Sequence, residues 1–230
     1  TAGGGVCQFD GVNFTQYDER HGLCGPIVTA IVEDNSGNLW IGATWGGVSR
    51  FNGNKFQNYH RKQGLISDAT TALLKDRHGN IFVGSNAGIT IIDNNHEFSH
   101  LSTLNGMNSG NVTCLFEAED GAIWIGTVKG INIYDDHQIS TIGRADGLPY
   151  DHVTCITQDS LGNIWIGFER KGLVKLSAVS IKSGQYDFEQ IGAEEGLNNI
   201  TITSILPDDR GLIWIGTNGR GAFKYKNGEL

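Results

Sequence analysis

The feature that most constrains the fold is a short aromatic segment that returns five times along the chain. Residues 37–42 read Gly-Asn-Leu-Trp-Ile-Gly, and residues 162–167 read Gly-Asn-Ile-Trp-Ile-Gly. The spacings between successive aromatic anchors are 42, 42, 41 and 49 residues. A fixed period of this length is typical of structural units that stack on one another. The anchors are Trp40, Phe82, Trp124, Trp165 and Trp214.

Two further markers keep the same phase as the anchors. A Val-Thr-like pair such as Val28-Thr29 lies twelve residues before each anchor, and a Gly-Leu-like pair such as Gly22-Leu23 lies six residues earlier. Each period also holds four short strand signals separated by turn residues. Four antiparallel strands in roughly 40–45 residues form the blade of a β-propeller. The sequence therefore predicts an all-β propeller of about five blade equivalents, built from four-stranded antiparallel blades, with almost no helix.

The repeats predict one domain over residues 1–230. Both ends align with the third strand of a blade, which leaves two interpretations open. In a closed five-bladed ring, a mixed terminal blade would combine residues 202–217 with 14–17. In a fragment of a larger ring, open strand edges would pair with another chain, and we favour a closed or mutually closed assembly. The predicted parts are a partial blade (1–25), four full blades (26–68, 69–110, 111–151 and 152–200) and a partial blade (201–230).

Charge and hydropathy exclude two classes of partner. The chain carries 17 Lys and Arg against 25 Asp and Glu, a net charge of −8, and it has no basic cluster. This balance argues against a nucleic-acid backbone as partner. The longest apolar runs, such as residues 200–206, contain Thr and Ser and are far shorter than the ~20 residues of a membrane span. We therefore expect no nucleic-acid partner and no membrane span in this chain.

The aromatic anchors and acidic turns have structural explanations. Equivalent aromatic residues at one depth in every blade are expected to pack between sheets rather than to stack on a ligand. The Asp-x-x-Gly turns are too short for a calcium loop, so we expect their carboxylates to bond the turn backbone. These turns begin at Asp34, Asp76, Asp159 and Asp208.

No catalytic or metal-binding motif stands out. The cysteines (Cys7, Cys24, Cys114, Cys155) form no Cys-x-x-Cys, and the seven His show no ligand spacing. Cys114 and Cys155 share a position that favours small residues, so we expect buried free thiols there, whereas a Cys7–Cys24 pair stays open. The acidic pairs 194–195 and 208–209 lie in loops, where carboxylates are usually solvated. We predict no catalytic residue, no metal and no cofactor.

The repeat resembles the two-component-regulator propeller repeat, through the pattern Val-Thr-x-Ile-x-x-Asp-x-x-Gly-Asn-Leu/Ile-Trp-Ile-Gly-Thr-x-x-Gly-Gly-Val over essentially the whole chain. Departures are local: Phe82 replaces Trp, residues 119–121 (Glu-Asp-Gly) shift the turn Asp, and residues 177–190 lengthen an outer hairpin. The resemblance implies the periplasmic sensor region of a bacterial hybrid two-component system that responds to glycan breakdown products. Family sensors usually carry two seven-bladed propellers, a β-sandwich linker, a membrane span and a histidine kinase.

Candidate binding residues come from the loops in which the repeat consensus breaks. The loops from strand two to three, and from strand four to the next strand one, share a face around a propeller axis, and loops on a rigid scaffold favour binding. Their aromatic, amide and charged side chains suit sugars, and Arg and Lys suit acidic saccharides. The candidates are Trp45, Asp68, Asn86, Lys129, Tyr150, His152, Glu169, Arg170, Asn218 and Arg220.

Residues and resemblance together predict a non-enzymatic sensing or scaffold propeller in the periplasm, with a small molecule or oligosaccharide as ligand. One alternative is a protein-interaction module that self-associates through its terminal blade strands. The other is an enzyme similar to streptogramin lyases, propellers that use a His and a metal on one face. That enzyme would need His152 together with a second His or a carboxylate on the same rim.

Overall fold

The computed structural model describes residues 3–192 and 196–230, so the predicted solvated pair at 194–195 lies outside the described residues. The described chain is built of antiparallel sheets whose strands follow chain order, which confirms the all-β propeller class. Four complete four-stranded blades lie between two smaller sheets. The smaller sheets are β1 (Val6–Phe9) with β2 (Phe14–Tyr17), and β19 (Ile202–Pro207) with β20 (Ile213–Thr217) and β21 (Ala222–Tyr225).

Each complete blade places its strands in the order one to four across the sheet. Blade one holds β3 (Val28–Glu33), β4 (Leu39–Ala43), β5 (Gly47–Phe51) and β6 (Phe56–Tyr59). Blade two holds β7 (Thr70–Lys75), β8 (Ile81–Ser85), β9 (Ile89–Ile92) and β10 (Phe98–Leu101). Blade three holds β11 (Val112–Glu117), β12 (Ile123–Thr127), β13 (Gly130–Asp135) and β14 (Gln138–Ile142). Blade four holds β15 (Val153–Gln158), β16 (Ile164–Phe168), β17 (Gly172–Leu176) and β18 (Phe188–Ile191).

The terminal strands form separate sheets. Strands β19 and β20 share their sheet with β21, while β2 pairs with β1. The mixed terminal blade of 202–217 with 14–17 is therefore not formed among the described residues. β21 is the third strand of its sheet, and β1 pairs with the strand that follows it, as β5 pairs with β6 in blade one.

The expectation of almost no helix missed one element. Helix α1 (Ala178–Ser183) lies inside the long hairpin of blade four, and single 3₁₀ turns precede the complete blades. The Ser177 side chain accepts a hydrogen bond from the Ser180 N–H, and Gly184 ends the helix at φ 70°. Six residues span fewer than two turns, so the segment is too short to produce an apolar period.

The phased markers of the sequence are explained by packing. A Cβ on Gly126 would come within 2.8 Å of Val153, the first residue of the next blade's inner strand. Because that approach leaves no room for a side chain, the Trp-Ile-Gly segment and the Val-Thr pair recur together. The glycine of the Gly-Leu marker ends a 3₁₀ turn, as at Gly147 with φ 89°, and the following Leu148 is buried.

The anchors pack as predicted in four of the five repeats. Trp40 is 1% exposed, and Phe82, Trp124 and Trp165 are also buried. Trp214 is 44% exposed, so the prediction is wrong at that anchor. It belongs to the three-stranded sheet, and only one face of a terminal sheet is covered by a preceding blade.

The chain divides into two compact units, each with its own apolar clusters. The first unit runs to Asn105 and includes Gly110–Val112, and the second holds Gly106–Ser109 and Thr113–Leu230. In the first, Trp40 packs with Val83 and Ile92 of the following blade. In the second, blades three and four share a cluster that includes Trp124, Ile164 and Phe168.

Candidate functional site

The structure brings part of the predicted set together. Trp45, Asp68 and Asn86 belong to the first unit, and the remaining seven candidates belong to the second. Three of those seven, Tyr150, His152 and Glu169, meet at the loop end of blade four. We call this group, with Arg144, Asp151 and Lys171, the Tyr150 cluster.

An aromatic pair forms the floor of the Tyr150 cluster. Tyr150 meets Phe168 edge to face, with ring centroids 5.5 Å apart. Phe168 is fully buried, so it fixes the position of the partly exposed tyrosine above it. Two cations lie over the Tyr150 ring, the Arg144 guanidinium at 5.9 Å and the Lys171 ammonium at 5.6 Å from its centroid. Each geometry is a cation–π contact.

Ion pairs hold the loops around this floor. The Arg144 Nε donates to Asp151 Oδ1 at 3.0 Å, and its Nη1 donates to the Pro149 carbonyl. The His152 Nδ1 lies 2.6 Å from Glu169 Oε2, with both side chains nearly half exposed. The Glu169 N–H also donates to the His152 carbonyl at 3.0 Å, so the two loops are joined by backbone as well as by charge.

Two substitutions in the repeat create the cluster. In blades one to three, the N–H of the residue two places after the Gly-Leu glycine donates to a strand-three side chain, as from Asn108 to Asn132 at 2.8 Å. Blade four has Pro149 at the donor position and Val174 in the register of Asn132, so donor and acceptor are lost together. The carbonyl of Pro149 is used instead by Arg144.

The second substitution lies at the end of strand two. Thr127 in blade three donates its hydroxyl to the Gly130 carbonyl at 2.9 Å, and Ser85 and Thr217 make the matching bond in their sheets. Blade four has Phe168 at this position, in register with Gly172. An aromatic ring therefore lies where blades two and three and the last sheet carry a hydroxyl and where blade one carries Ala43, and Tyr150 packs on it.

The other predicted residues of the second unit lie outside this group. Arg170 adopts φ 54°, and its N–H donates to the Thr201 hydroxyl at 3.1 Å. The Asn218 N–H donates to the Thr201 carbonyl at 2.9 Å. The side chains of Lys129 and Arg220 are exposed in their own loops.

In the first unit the three candidates have different surroundings. Trp45 is 77% exposed. The Asp68 carboxylate accepts from the Arg61 N–H at 2.7 Å, and the Asp68 carbonyl accepts from the Gly47 N–H at 2.8 Å. Asn86 accepts from the Ser67 hydroxyl at 2.7 Å. Asp68 thus stabilises its loop, whereas Trp45 and Asn86 are exposed to solvent.

Sequence reasoning missed Arg144, Asp151 and Lys171 as members of the site. Asp151 and Lys171 lie in the loops that were singled out, between residues that were chosen. Arg144 lies on the 3₁₀ turn before the loop, where the motif gives no reason to expect it. No sequence signal marks it, because its bond to the Pro149 carbonyl uses a backbone group that every residue carries.

Metal chemistry and thiol chemistry find little support in the described residues. Within 3–192 and 196–230, no group of three His, Cys, Asp or Glu is placed to hold a metal ion. All four cysteines are free, as expected for Cys114 and Cys155. Burial raises the pKa of the Cys114 thiol to about 12 and that of Cys155 to about 11. None of the helices seen in the described part of the chain has the length and apolar character needed to cross a bilayer.

The acidic turns act as predicted. Asp159 accepts from the Asn163 N–H at 2.9 Å and from the Trp165 indole Nε1–H at 2.8 Å. Asp34 makes the same two bonds in blade one. Burial raises the pKa of the Asp34 carboxyl, but the hydrogen bonds from Asn38 and Trp40 lower it more, to about 2.

Comparison with known proteins identifies the repeat. The family model described as "two component regulator propeller" matches residues 22–45, 106–129, 147–170 and 196–219. No curated relative matches the chain.

Solved structures share the fold at low identity. PorZ, a surface component of the type-IX secretion system of Porphyromonas gingivalis, is 17% identical with a TM-score of 0.76, covering 96% of this chain and 36% of that one. The extracellular domain of BT3049 from B. thetaiotaomicron, assigned to the hybrid two-component systems, is 18% identical with a TM-score of 0.63, covering 96% and 36%. Virginiamycin B lyase from Staphylococcus aureus is 16% identical with a TM-score of 0.65, covering 86% and 69%. The chain thus spans about a third of the length of the first two, and the likeness concerns the fold alone.

Proposed function

We propose, on the premise that four segments of the chain match the two-component regulator propeller model, that the chain is a non-enzymatic, ligand-sensing propeller of an extracytoplasmic sensor. Its similarity to extracellular domains of B. thetaiotaomicron regulators supports the periplasmic location. The ligand that we propose is an acidic oligosaccharide.

The observation that carries this proposal is the Tyr150 cluster. Lys171 and Arg144 bring two cations to one aromatic ring, and His152 with Glu169 adds a donor and an acceptor beside it. An aromatic side chain offers an apolar face to a sugar ring, while cations bind its carboxylate or sulfate groups through charge-assisted hydrogen bonds. Both kinds of contact lie within one pair of loops on a rigid blade.

A calorimetric titration tests the ligand class. The probes are a tetramer of galacturonic acid and the matched neutral tetramer of galactose. We expect the acidic tetramer to bind more tightly, and Lys171→Ala to weaken its binding about tenfold, as the loss of one charge-assisted contact implies. Tyr150→Ala should weaken binding of both tetramers.

The matched control is Lys129→Ala. Lys129 precedes Gly130 in blade three as Lys171 precedes Gly172 in blade four, but Lys129 has no cation–π partner among the described residues. Equal losses in Lys129→Ala and Lys171→Ala would remove the Tyr150 cluster from the proposal. Failure of the acidic tetramer to bind wild-type protein would refute the glycan assignment itself.

The enzymatic alternative rests on the His152–Glu169 pair, which supplies the carboxylate that a lyase-like site would need. Turnover of a streptogramin B in the presence of Mg²⁺, lost in His152→Ala, would establish that alternative and overturn the non-enzymatic assignment. Self-association through β2 or β21 is tested separately, by light scattering at several protein concentrations. A concentration-dependent mass without oligosaccharide binding would favour the interaction module.

A further inference from the structure

A mostly apolar cavity of about 360 Å³ lies between the β1–β2 sheet and blade one. Its lining residues belong to the first unit, so it is separate from the Tyr150 cluster, which belongs to the second. Its volume lies within the range of small-molecule sites, roughly 300–1,000 Å³. Blade one contributes four side chains to the wall, which we call the indole seat: Ile31, Leu39, Ile41 and Phe51.

The positions of the indole seat contact a tryptophan elsewhere in the chain. The seat consists of two cross-strand pairs, Ile31 with Ile41 and Leu39 with Phe51. In three other sheets, the residues in the same register belong to one apolar cluster with the tryptophan of the preceding blade. These sets are Leu73, Ile81, Val83 and Ile92 with Trp40; Ile156, Ile164, Ile166 and Leu176 with Trp124; and Ile205, Ile213, Ile215 and Tyr225 with Trp165. The three filled copies identify an indole as the group that fits the seat on blade one.

The aromatic neighbours of such an indole are also present at the cavity. The Tyr59 ring stacks on Trp40 at a centroid distance of 5.2 Å and lies 6.0 Å from the ring of Phe98. Tyr17 has the register of Tyr59, since each pairs with a valine of the third strand. Its ring lies 5.8 Å from that of Phe56, which has the register of Phe98, and both rings line the cavity. A tryptophan in the seat would therefore stack on Tyr17.

The exposure of Ile31 shows that the seat is open. Ile31 is 46% exposed, whereas Leu73 and Ile156, at the same position of blades two and four, are 9% and 8% exposed. In those two blades the preceding tryptophan belongs to the cluster that covers the position. Covering the apolar surface of Ile31 would favour binding of an occupant.

The backbone edge of β1 borders the same cavity. In the complete blades the third strand pairs on both sides, with strands two and four. Among the residues that the structure describes, β1 pairs with β2 alone. Val6, Cys7 and Gln8 of β1 line the cavity. An open strand edge can accept an extended segment, whose alternate side chains enter adjoining pockets.

A folded second copy offers no such segment within the described residues. Trp40, Trp124 and Trp165 are buried, and each lies on a strand with a partner on either side. Trp214 is 44% exposed, but its strand β20 pairs with both β19 and β21. Trp45 is 77% exposed and lies between β4 and β5 rather than in a strand. The fitting occupant is therefore an extended segment of a different polypeptide.

We propose that the β1 edge and the indole seat bind an extended segment of a partner polypeptide, which adds one strand to β1 and inserts a tryptophan side chain into the cavity. The tryptophan lies opposite Gln8, as Trp40 lies opposite Arg50 in blade one. Leucine or β-branched residues flank it, and a glycine follows two places later, as in the repeat. This peptide-binding site goes beyond the proposed glycan sensing and does not depend on it.

The test uses the full chain and three probes in calorimetric titrations. The first is an acetylated and amidated peptide with the sequence of residues 37–44, Gly-Asn-Leu-Trp-Ile-Gly-Ala-Thr. The second is the same peptide with alanine in place of tryptophan, and the third is N-acetyltryptophanamide. We expect the first to bind, and the others to bind more weakly by about tenfold or more, because one lacks the indole and the other cannot add a strand. The first peptide should also slow hydrogen exchange of the β1 amides, which N-acetyltryptophanamide should leave unchanged.

One variant and a matched control locate the binding. Ile31→Ser removes apolar area at a partly exposed position, so it should weaken binding of the tryptophan peptide about tenfold without unfolding the protein. Ile27→Ser changes a residue that is 42% exposed and lies outside the lining, so it should leave binding unchanged.

Four results would overturn the proposal. They are the absence of binding of the tryptophan peptide to wild-type protein, equal binding of the tryptophan and alanine peptides, equal losses in the two variants, and self-association that the peptide reverses. Light scattering at several protein concentrations detects the last, which would assign the seat to a second copy instead of a different polypeptide.

Discussion

Blades three and four depart from the same repeat at opposite ends. Blade three keeps the polar loop anchors, Asn108 with Asn132, but has Ala118 in the turn. Blade four keeps the turn carboxylate, Asp159, but replaces the loop anchors with Pro149 and Val174. Blade three therefore lacks the bond between the turn carboxylate and the anchor indole, and blade four lacks the bond between the loop N–H and a strand-three side chain.

The comparison indicates that the residues at the two ends of a blade vary independently, while the strands between them keep the repeat consensus. The Trp-Ile-Gly strand is fully buried in both blades. Where a polar anchor is lost at the loop end, an aromatic floor with cations takes its place. Where the turn carboxylate is lost, a cavity with an indole N–H in its wall results. Exchange of residues between the two blades tests each half of this comparison.

The largest effect is expected from Phe168→Thr, which gives blade four the residue of blade three. Loss of a fully buried ring should lower the free energy of unfolding by about 3 kcal/mol. Tyr150 would also lose its floor, so binding at the Tyr150 cluster should weaken in the same variant. Urea denaturation measures the first effect and calorimetry the second. A loss below 1 kcal/mol would mean that the ring does not support the blade.

The reverse exchange, Asn132→Val, gives blade three the residue of blade four. It leaves the Asn108 N–H without its acceptor, and the Asn108 Oδ1 keeps only the bond from the Thr127 hydroxyl, at a cost of about 2–3 kcal/mol. Asn108→Pro in the same chain removes the stranded donor. The double variant should therefore cost about 1 kcal/mol less than the sum of the two single variants. Strict additivity would contradict the pairing of proline with valine that blade four displays.

Much of the fold could be read from the sequence because its cause is periodic. A glycine at the position of Gly126 and a small or β-branched residue at that of Val153 recur, because neighbouring blades approach too closely there for a larger side chain. Such a packing constraint produces the same residue types in every repeat. Tyr150, His152 and Glu169 were found because they lie in loops where the repeat consensus breaks. Arg144 was not found, since its part in the cluster depends on its bonds to the Asp151 carboxylate and the Pro149 carbonyl, which only the folded chain shows.

The cavity at the turns of blades three and four, lined by Ala118, Trp124 and Ile181, shows the same limit. The shift of the turn Asp in blade three and the insertion in blade four were both visible in the sequence. That they meet could not be predicted, because it depends on α1 folding back against the neighbouring blade's anchor. Each departure from the repeat can be recognised in the sequence, whereas the contact between two departures becomes visible only in the structure.

Asp159→Ala gives the turn of blade four the residue that blade three has at the equivalent position, Ala118. It removes the acceptor of the Leu161 and Asn163 N–H groups and of the Trp165 indole, so we expect a loss of about 2 kcal/mol at pH 7. Burial raises the pKa of Asp159, but the hydrogen bonds from Asn163 and Trp165 lower it more, to below its ordinary 3.8.

The sign of the pH dependence follows from that lowered pKa. The stabilising contribution is complete above pH 3.8 and is lost as the pH falls through the lower, folded-state value. Urea denaturation at pH 7, 5 and 3 should show the wild type and Asp159→Ala converging at the acidic end. A constant difference down to pH 3 would assign the effect to side-chain packing rather than to the carboxylate.

The smallest effect is expected from Ala118→Asp, which completes the turn of blade three. The new carboxylate accepts from the Trp124 indole, as Asp159 does from Trp165, so stability at pH 7 should rise by about 1 kcal/mol. The gain is smaller than the Asp159→Ala loss because Glu117, Glu119 and Asp120 repel a further negative charge. Below the folded-state pKa of the new carboxyl the gain should disappear, whereas the neutral Ala118→Asn should keep its effect at every pH. Thermal unfolding of both variants at pH 7 and pH 3 separates these outcomes, and destabilisation by both would mean that the Trp124 indole does not face the turn.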